Sequence, residues 1–159
     1  MADSSKQYNG NYKKRGATVP ATDALGRLSP RDTDVEAAVL GALMIEKDAY
    51  TIVCDILKPE SFYEPAHQKV YEAIQTLGAS QRPIDLFTVT EQLRLNGTLE
   101  DVGGAAFVVQ LTSNVTSAAH VEFHSRIVAQ KYLARELISF AAQIENNAFD
   151  ESIDVDDLL

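Results

Sequence analysis

The stretch AAHVEFHSRIVAQKYLARELISFAAQIENN, residues 118–147, decides the fold of this chain. Apolar side chains recur along it mainly every three or four residues, which is the spacing of one face of an α-helix. The members of this face are Phe123, Ile127, Ala134, Leu137, Ala141 and Ile144, followed by Ala148 just beyond the stretch. Val128, Leu133, Ile138 and Phe140 widen it beyond a narrow seam. The pattern predicts one long helix with a broad apolar face.

This helix is too long for the domain that precedes it. A helix of roughly 30 residues rises ~45 Å, whereas a body of about 100 residues has a radius of gyration near ~13 Å. Part of the helix should therefore project, and its apolar face needs a partner. Repeated alanines leave room for a second helix to approach closely. The alternative is a central helix that its own domain covers completely.

The sequence after the long helix predicts the start of a second one. Ser152 or Asp154 can cap it, and Asp156 and Asp157 favour a first helical turn. Because a helix that stops at Leu159 buries little, we expect the chain to be a fragment. Its missing second arm would fold back to form a helical hairpin. A natural C-terminus with a frayed acidic tail is the alternative.

Composition fits one helical domain plus a tail. The chain has 159 residues, 45% of them hydrophobic, and a formal net charge of -9. An excess of acidic groups argues against a phosphate-binding surface, because binding to duplex DNA relies on Lys and Arg. No signal peptide or membrane span is evident, so we expect a cytoplasmic protein. The lone Cys54 cannot form an internal disulfide and is expected in the core.

Three regions are predicted: a disordered basic tail over residues 1–28, a globular helical head over 29–116, and the long helix with the start of the second arm over 117–159. The tail lacks hydrophobic periodicity, and solvated disorder is favoured over nucleic-acid contact through Lys13, Lys14 and Arg15. Within the head we expect five short helices, whose starts are marked by Asp32–Thr33, Ala49, Pro65, Asp85 or Thr88, and Gly103–Gly104. Pro59 should stop the second helix, Gly78 the third and Asn96–Gly97 the fourth, and Thr116–Ser117 should cap the long helix.

The sequence contains no arrangement that predicts catalysis. Gly103–Gly104 lacks the lysine and preceding strand of a phosphate-binding loop. His120 and His124 have helical spacing but no further ligands, so a metal site is not expected. His67, in the first turn of its helix, should hydrogen-bond to backbone. We therefore expect no catalytic, cofactor-binding or metal site in this chain.

Five phrases together resemble the N-terminal domain of the bacterial replicative DNA helicase, the DnaB family. They are DVEAAVLGAL at 34–43, FYxxxHQxxYxAI at 62–74, PIDxxTV at 83–89, Gly103–Gly104 and Ile127–Val128. Each phrase is weak alone, but their order and spacing are jointly specific over residues 29–159. The resemblance implies an all-α fold, with a compact bundle of short helices followed by a hairpin arm. In that family a second hairpin helix, a linker and an ATPase motor follow, so ATP, Mg²⁺ and DNA unwinding belong to the implied parent.

The resemblance also implies partners. Hairpins of neighbouring subunits pair, which gives a homodimer within a hexamer, and the C-terminal domain of primase docks on the resulting collar. A helicase loader is a further implied partner, DNA is bound only through the parent, and no membrane is involved. Residues expected at subunit or partner interfaces are Phe107, Ile127, Ala134, Leu137, Ile138, Ala141 and Ile144. Phe107 is expected either to reach the surface as a partner contact or to be buried in the core.

Two binding alternatives remain open at this point, besides a small enzyme, for which no catalytic constellation is present. One is the helicase-binding C-terminal domain of a primase, although a tail beginning at Met1 favours an N-terminal module. The other is a single-stranded DNA-binding module, which would need a basic groove with stacking aromatics. The low isoelectric point, about 4.7, counts against that second alternative.

Overall fold

The computed structural model describes residues 22–23, 25–115, 117–150, 152–154 and 156. Helices account for the regular structure of these residues, and no residue among them belongs to a strand. In chain order the elements are α1 (Thr33–Ile45), α2 (Ala49–Val53), a 3₁₀ turn (Pro59–Ser61), α3 (Pro65–Ala79), α4 (Leu86–Leu95), α5 (Leu99–Val102), α6 (Gly104–Ser113) and α7 (Val121–Phe149). The prediction of an all-α fold is confirmed.

Capping side chains fix where two of the helices begin. The Asp32 carboxylate accepts a 3.2 Å hydrogen bond from the Val35 N–H at the start of α1. At the start of α4, the Asp85 carboxylate accepts from Phe87 and Thr88, and the Thr88 hydroxyl accepts from the Asp85 N–H. This reciprocal box satisfies donors that a helix start leaves free. Local capping therefore outweighs the β-propensity of residues 86–90.

The core lies where α1 and α3 pack with α4, α6 and the first half of α7. Tyr71 is fully buried, and its hydroxyl donates a 3.0 Å hydrogen bond to the carbonyl oxygen of Leu57. Gly41 sets the distance between α1 and α6, because an added Cβ would lie 2.2 Å from the carbonyl oxygen of Leu111. Val39, Leu43 and Ile74 are buried in this core.

Several local predictions are wrong, among them that Pro59 stops the second helix, since α2 ends at Val53. Gly78 does not end the third helix, since α3 continues to Ala79, and Gly78 instead leaves space for the ring of Tyr50. Cys54 is exposed at the end of α2 and is not part of the core. Ser117 does not cap the long helix: His120 precedes the first helical residue, and the Ser117 hydroxyl accepts from Ala119 in the turn before it. Thr116 lies outside the described residues.

The described end of the predicted basic tail forms a turn. An isolated antiparallel bridge joins Thr22 to Leu28, and Asp23 forms an ion pair with Arg27. Hydrogen bonds from the backbone N–H of Arg27, from the Arg27 side chain and from the backbone N–H of Leu25 lower the pKa of the Asp23 carboxyl. Residues 1–21 and 24 lie outside the described residues, and the boundaries at 28 and 116 stay predictions.

No helix in the described ranges is both long and apolar enough to cross a bilayer. The same residues contain no group of three His, Cys, Asp or Glu side chains placed to hold a metal ion.

Candidate functional site

The long helix α7 changes character along its length. Val121, Ser125 and Val128 are buried against the head, whereas every residue from Glu136 to Phe149 is exposed. These last 14 residues of α7 correspond to about 20 Å of helix. The predicted projection of the helix beyond the head is therefore present in the structure.

The exposed part of α7, from Leu133 onward, carries large apolar side chains that are about half or more open to solvent. Leu137 is 61% exposed and Phe140 is 62% exposed. Four further exposed apolar residues are Leu133, Ile138, Ile144 and Phe149. At 100° per residue, the apolar residues from 133 to 149 occupy about half of the helix circumference. We call this surface the arm face. Monomers rarely leave such a continuous apolar patch open.

The predicted interface residues separate into three places. Leu137, Ile138, Ala141 and Ile144 lie on the arm face and are exposed. Ile127 and Ala134, also on α7, are half-buried where the helix leaves the head. Phe107 is not on this helix at all. It lies on α6, half-buried, where its ring stacks on His67 at 6.0 Å between centroids.

An arginine fixes α7 to the head at the point where the helix begins to project. The Arg135 guanidinium donates 2.8 Å hydrogen bonds to the carbonyl oxygens of Pro30 and Ser61. It also lies over the rings of Tyr63 and Tyr132, at 5.6 and 5.7 Å from their centroids. A planar guanidinium suits both kinds of contact at once. Sequence reasoning missed this residue.

Two more cations lie close to the same two tyrosine rings. Arg31 lies 4.8 Å from the Tyr63 ring centroid, and its Nη1 donates to the Tyr63 hydroxyl. Lys58 lies 5.0 Å from the Tyr132 centroid. Hydrogen bonding to Tyr132 raises the pKa of the Lys58 ammonium group. Lys58 thus helps to hold α7 to the head, whereas Arg31 contacts the Tyr63 ring over which Arg135 lies.

A buried carboxylate organises the turn into α3. Glu36 is 1% exposed and accepts hydrogen bonds from the Tyr63 N–H at 2.6 Å and the Glu64 N–H at 3.4 Å. Its Oε2 lies 2.7 Å from Nδ1 of His67, which is 6% exposed. With the carboxylate ionised, the Nδ1–H of His67 is the donor. The prediction that His67 binds backbone is wrong, because a side chain 31 residues away supplies its partner.

Phe107 and His67 form one wall of a cavity of about 320 Å³. The two rings are nearly parallel, with 19° between their planes. Apolar lining comes from Ala37, Ala66 and Leu111, and carboxylate lining comes from Asp34 and Glu64. We call this space the Phe107 cavity. It combines an aromatic surface with negative charge.

These two surfaces, the arm face and the Phe107 cavity, belong to a chain that has identifiable relatives. Residues 28–130 match the family described as "DnaB-like helicase N terminal domain". The chain belongs to this family. The match covers the head and the buried half of α7, so the DnaB-like N-terminal domain provides the scaffold from which the arm face projects.

Curated relatives of this DnaB-like domain are replicative DNA helicases. It is 42% identical over 154 residues to the replicative DNA helicase DnaB of Rhodothermus marinus, covering 97% of this chain and 16% of that protein. It is 38% identical over 139 residues to the replicative DNA helicase DnaC of Bacillus subtilis, covering 87% of this chain and 31% of that protein. The chain thus spans less than a third of the length of either relative.

Solved structures agree with the fold of the DnaB-like domain. The N-terminal domain of DnaB helicase from Mycobacterium tuberculosis aligns with a TM-score of 0.77 and 36% identity, over 82% of this chain and 94% of that one. A DnaB-like replicative helicase, studied together with its interactions with primase, aligns with a TM-score of 0.65 and 27% identity. That second alignment covers 73% of this chain and 27% of the helicase chain.

Proposed function

We propose that this chain is the N-terminal oligomerisation and primase-docking domain of a hexameric replicative DNA helicase. The single observation that carries the proposal is the arm face. About half the circumference of a solvated helix is apolar there, in a chain whose family is that of DnaB-like N-terminal domains. Such a surface is expected to be covered by other helices in the working assembly.

Pairing between copies of the chain accounts for the width of the arm face. One antiparallel neighbour covers roughly a third of a helix surface in a seam, and a broader face accommodates two neighbours. We assign one side to the second arm of the same hairpin and the other to a second subunit. Ala134 and Ala141 lie between the larger side chains and allow the close approach that helix pairs need.

Primase docking is the second part of the proposal. One structural relative is described together with its interactions with primase, which supports the same role here. The candidate anchors are those of Phe107, Ile138 and Ile144 that stay exposed once the arms pair, since apolar and aromatic side chains with a polar rim dominate such interfaces. The acidic character of the domain favours a protein partner over nucleic acid at these surfaces.

The activity of the whole protein is part of the proposal as well. Because the relatives are replicative DNA helicases, we propose a parent that unwinds DNA in the cytoplasm using ATP and Mg²⁺ bound to its motor domain. The chain described here would contribute assembly and docking, without ATP hydrolysis of its own. Contacts with a helicase loader would involve the same collar of paired arms.

The test is binding to the C-terminal domain of the cognate primase, measured by isothermal titration calorimetry. We expect binding by this chain and tighter binding by a longer protein that continues past Leu159 and completes the hairpin. Ile144→Asp should weaken binding, while Ser139→Asp, on the opposite side of the same helix, should not. If neither the chain nor the longer protein binds primase, the docking role is wrong.

A further inference from the structure

A second cavity lies at the base of the arm face, between the turn that precedes α1 and the exposed part of α7. Its volume is about 440 Å³, and Leu28, Pro30 and Ile138 contribute apolar lining. The ion pair of Asp23 with Arg27 borders the same space. We call residues 22–30 the N-terminal turn and this space the turn cavity. The cavity places the N-terminal turn next to the surface that is proposed to pair with other helices.

One end of the N-terminal turn is fixed to α7. The Arg135 guanidinium donates a 2.8 Å hydrogen bond to the carbonyl oxygen of Pro30, which is the last residue of the turn. Ile138 follows Arg135 by three residues, and side chains at this spacing are neighbours on one face of a helix. The hydrogen bond to Pro30 therefore holds the end of the turn beside Ile138.

The rest of the N-terminal turn is held together by its own contacts. The Asp23 carboxylate accepts hydrogen bonds from the backbone N–H groups of Leu25 and Arg27, at 3.0 and 2.8 Å. Gly26 has a φ of +77°, a backbone conformation that glycine adopts without strain. Because its internal hydrogen bonds do not depend on α7, the turn can move as a unit about its fixed end at Pro30.

Large apolar side chains face the turn cavity from both sides. Leu28 is 59% exposed on the N-terminal turn, and Ile138 is 55% exposed on α7. Removing apolar surface from water is favourable in proportion to the area that is buried. A movement that brings Leu28 onto Ile138 would bury apolar surface of both residues. The entropic cost is small, because the turn that moves is already ordered by its own hydrogen bonds.

We propose that the N-terminal turn is a strap that closes over Ile138 and covers the base of the arm face while the arm is unpaired. Leu28 fills the turn cavity, and the bond between Arg135 and Pro30 is the fixed point of the movement. Closure and pairing compete for the same apolar surface, so the closed fraction lowers the apparent affinity of the arm face for a second helix. This consequence rests on the proposed pairing of arms, whereas closure is a property of the single chain.

Closure is tested by disulfide trapping at protein concentrations low enough to keep the chain monomeric. The exposed Cys54 is first replaced by serine. Leu28→Cys is then combined with Ile138→Cys or, as the control, with Glu145→Cys, which is exposed on the same side of α7 about 10 Å further along. Because a disulfide needs Cα atoms within about 7 Å, the first pair should oxidise about tenfold faster than the control pair, measured by mass spectrometry. Equal rates for the two pairs would overturn the proposal.

Competition with pairing is tested by analytical ultracentrifugation. Leu28→Ser should strengthen self-association about threefold, because the strap no longer covers Ile138. Leu25→Ser is the matched control, since Leu25 is 79% exposed on the same turn but does not line the cavity, and it should change association by less than about 1.5-fold. Thermal unfolding checks the fold of each variant.

The failures of the two claims are distinguishable. If Leu28→Ser weakens self-association, the N-terminal turn is part of the interface and the strap is wrong. If it leaves association unchanged while the wild type associates, the turn does not regulate pairing and the strap is likewise wrong. Absence of association by every variant contradicts the pairing proposal, and the trapping rates then still decide whether the turn closes over Ile138.

Discussion

Arg135 Nη2 donates a 2.8 Å hydrogen bond to the backbone carbonyl oxygen of Ser61, 74 residues earlier in the chain. The same guanidinium binds Pro30, so one side chain from α7 holds two separate head loops. Because the contact lies just before the first fully exposed turn of α7, it sets the direction in which the arm face leaves the head. The domain thus fixes its arm by polar contacts as well as by apolar packing.

Replacing Arg135 with methionine should lower the free energy of unfolding by about 2 kcal/mol, because two carbonyl oxygens lose a charged donor in a partly buried place. Urea denaturation measures the change. Arg126→Met on the same helix is the control, since Arg126 makes only an exposed ion pair with Glu122 and should matter by less than about 1 kcal/mol. Equal effects of the two substitutions would contradict the anchoring role of Arg135.

Replacing Leu137 or Ile144 with aspartate should abolish self-association through the arm face. A charge placed in an apolar seam between helices costs several kcal/mol, whereas the same charge in the free monomer stays solvated. Analytical ultracentrifugation should show a shift to monomer. Ser139→Asp, on the polar side of the helix, should leave association unchanged, and a wild-type chain that stays monomeric at high micromolar concentration would show the pairing proposal to be wrong for this chain.

Gly41→Ala should destabilise the head by about 1–3 kcal/mol. The same replacement in an unconstrained helix interior normally stabilises by about 0.5–1 kcal/mol, so the expected sign is reversed. The reason is the contact of Gly41 with the carbonyl oxygen of Leu111 and the side chain of Val115, which leaves no room for a methyl group. An increase in the stability of this variant, measured by chemical denaturation, would contradict the close approach of α1 and α6.

Tyr71 should make the head sensitive to alkaline pH. Burial raises the pKa of its hydroxyl group, so the folded state keeps this proton where the unfolded state releases it near pH 10. The unfolded chain then binds fewer protons, and the free energy of unfolding falls as pH rises above about 10. Tyr71→Phe should make this decrease with pH shallower. The same substitution should lower the free energy of unfolding at neutral pH by about 1 kcal/mol, because the hydrogen bond to the Leu57 carbonyl oxygen is lost. An unchanged slope in denaturation measurements at pH 9–11 would contradict the assignment.

Features with a local cause were predictable from sequence. Asp32 and Asp85 cap helices through atoms within three residues of their own position, and the spacing of the apolar residues of α7 is visible without any tertiary information. Projection of α7 followed from its length against the size of the head. These features depend on short-range chemistry, which a sequence displays directly.

Contacts between distant residues were not predictable in the same way. The partner of His67 is Glu36, which looks like one more solvated acid in an amphipathic helix until the turn at residues 62–65 packs against it. Arg135 finds its carbonyl partners only when three segments meet. The short α5 was missed because four residues show no period, and the exposure of Cys54 depends on how α2 ends.

The helical stability of the solvated half of α7 is coupled to the proposed pairing of subunits. An isolated helix of about 14 residues is marginal in water, because the nucleation cost is recovered only over longer segments or by packing. Every residue of Glu136–Phe149 is exposed, and among the described residues the turn at residues 22–30 approaches this segment at Ile138, so the backbone amides there have little besides the helix itself to slow their exchange with solvent. Pairing of the arm faces, as proposed above, would slow this exchange as protein concentration rises, so the exchange rates of this segment would report subunit association.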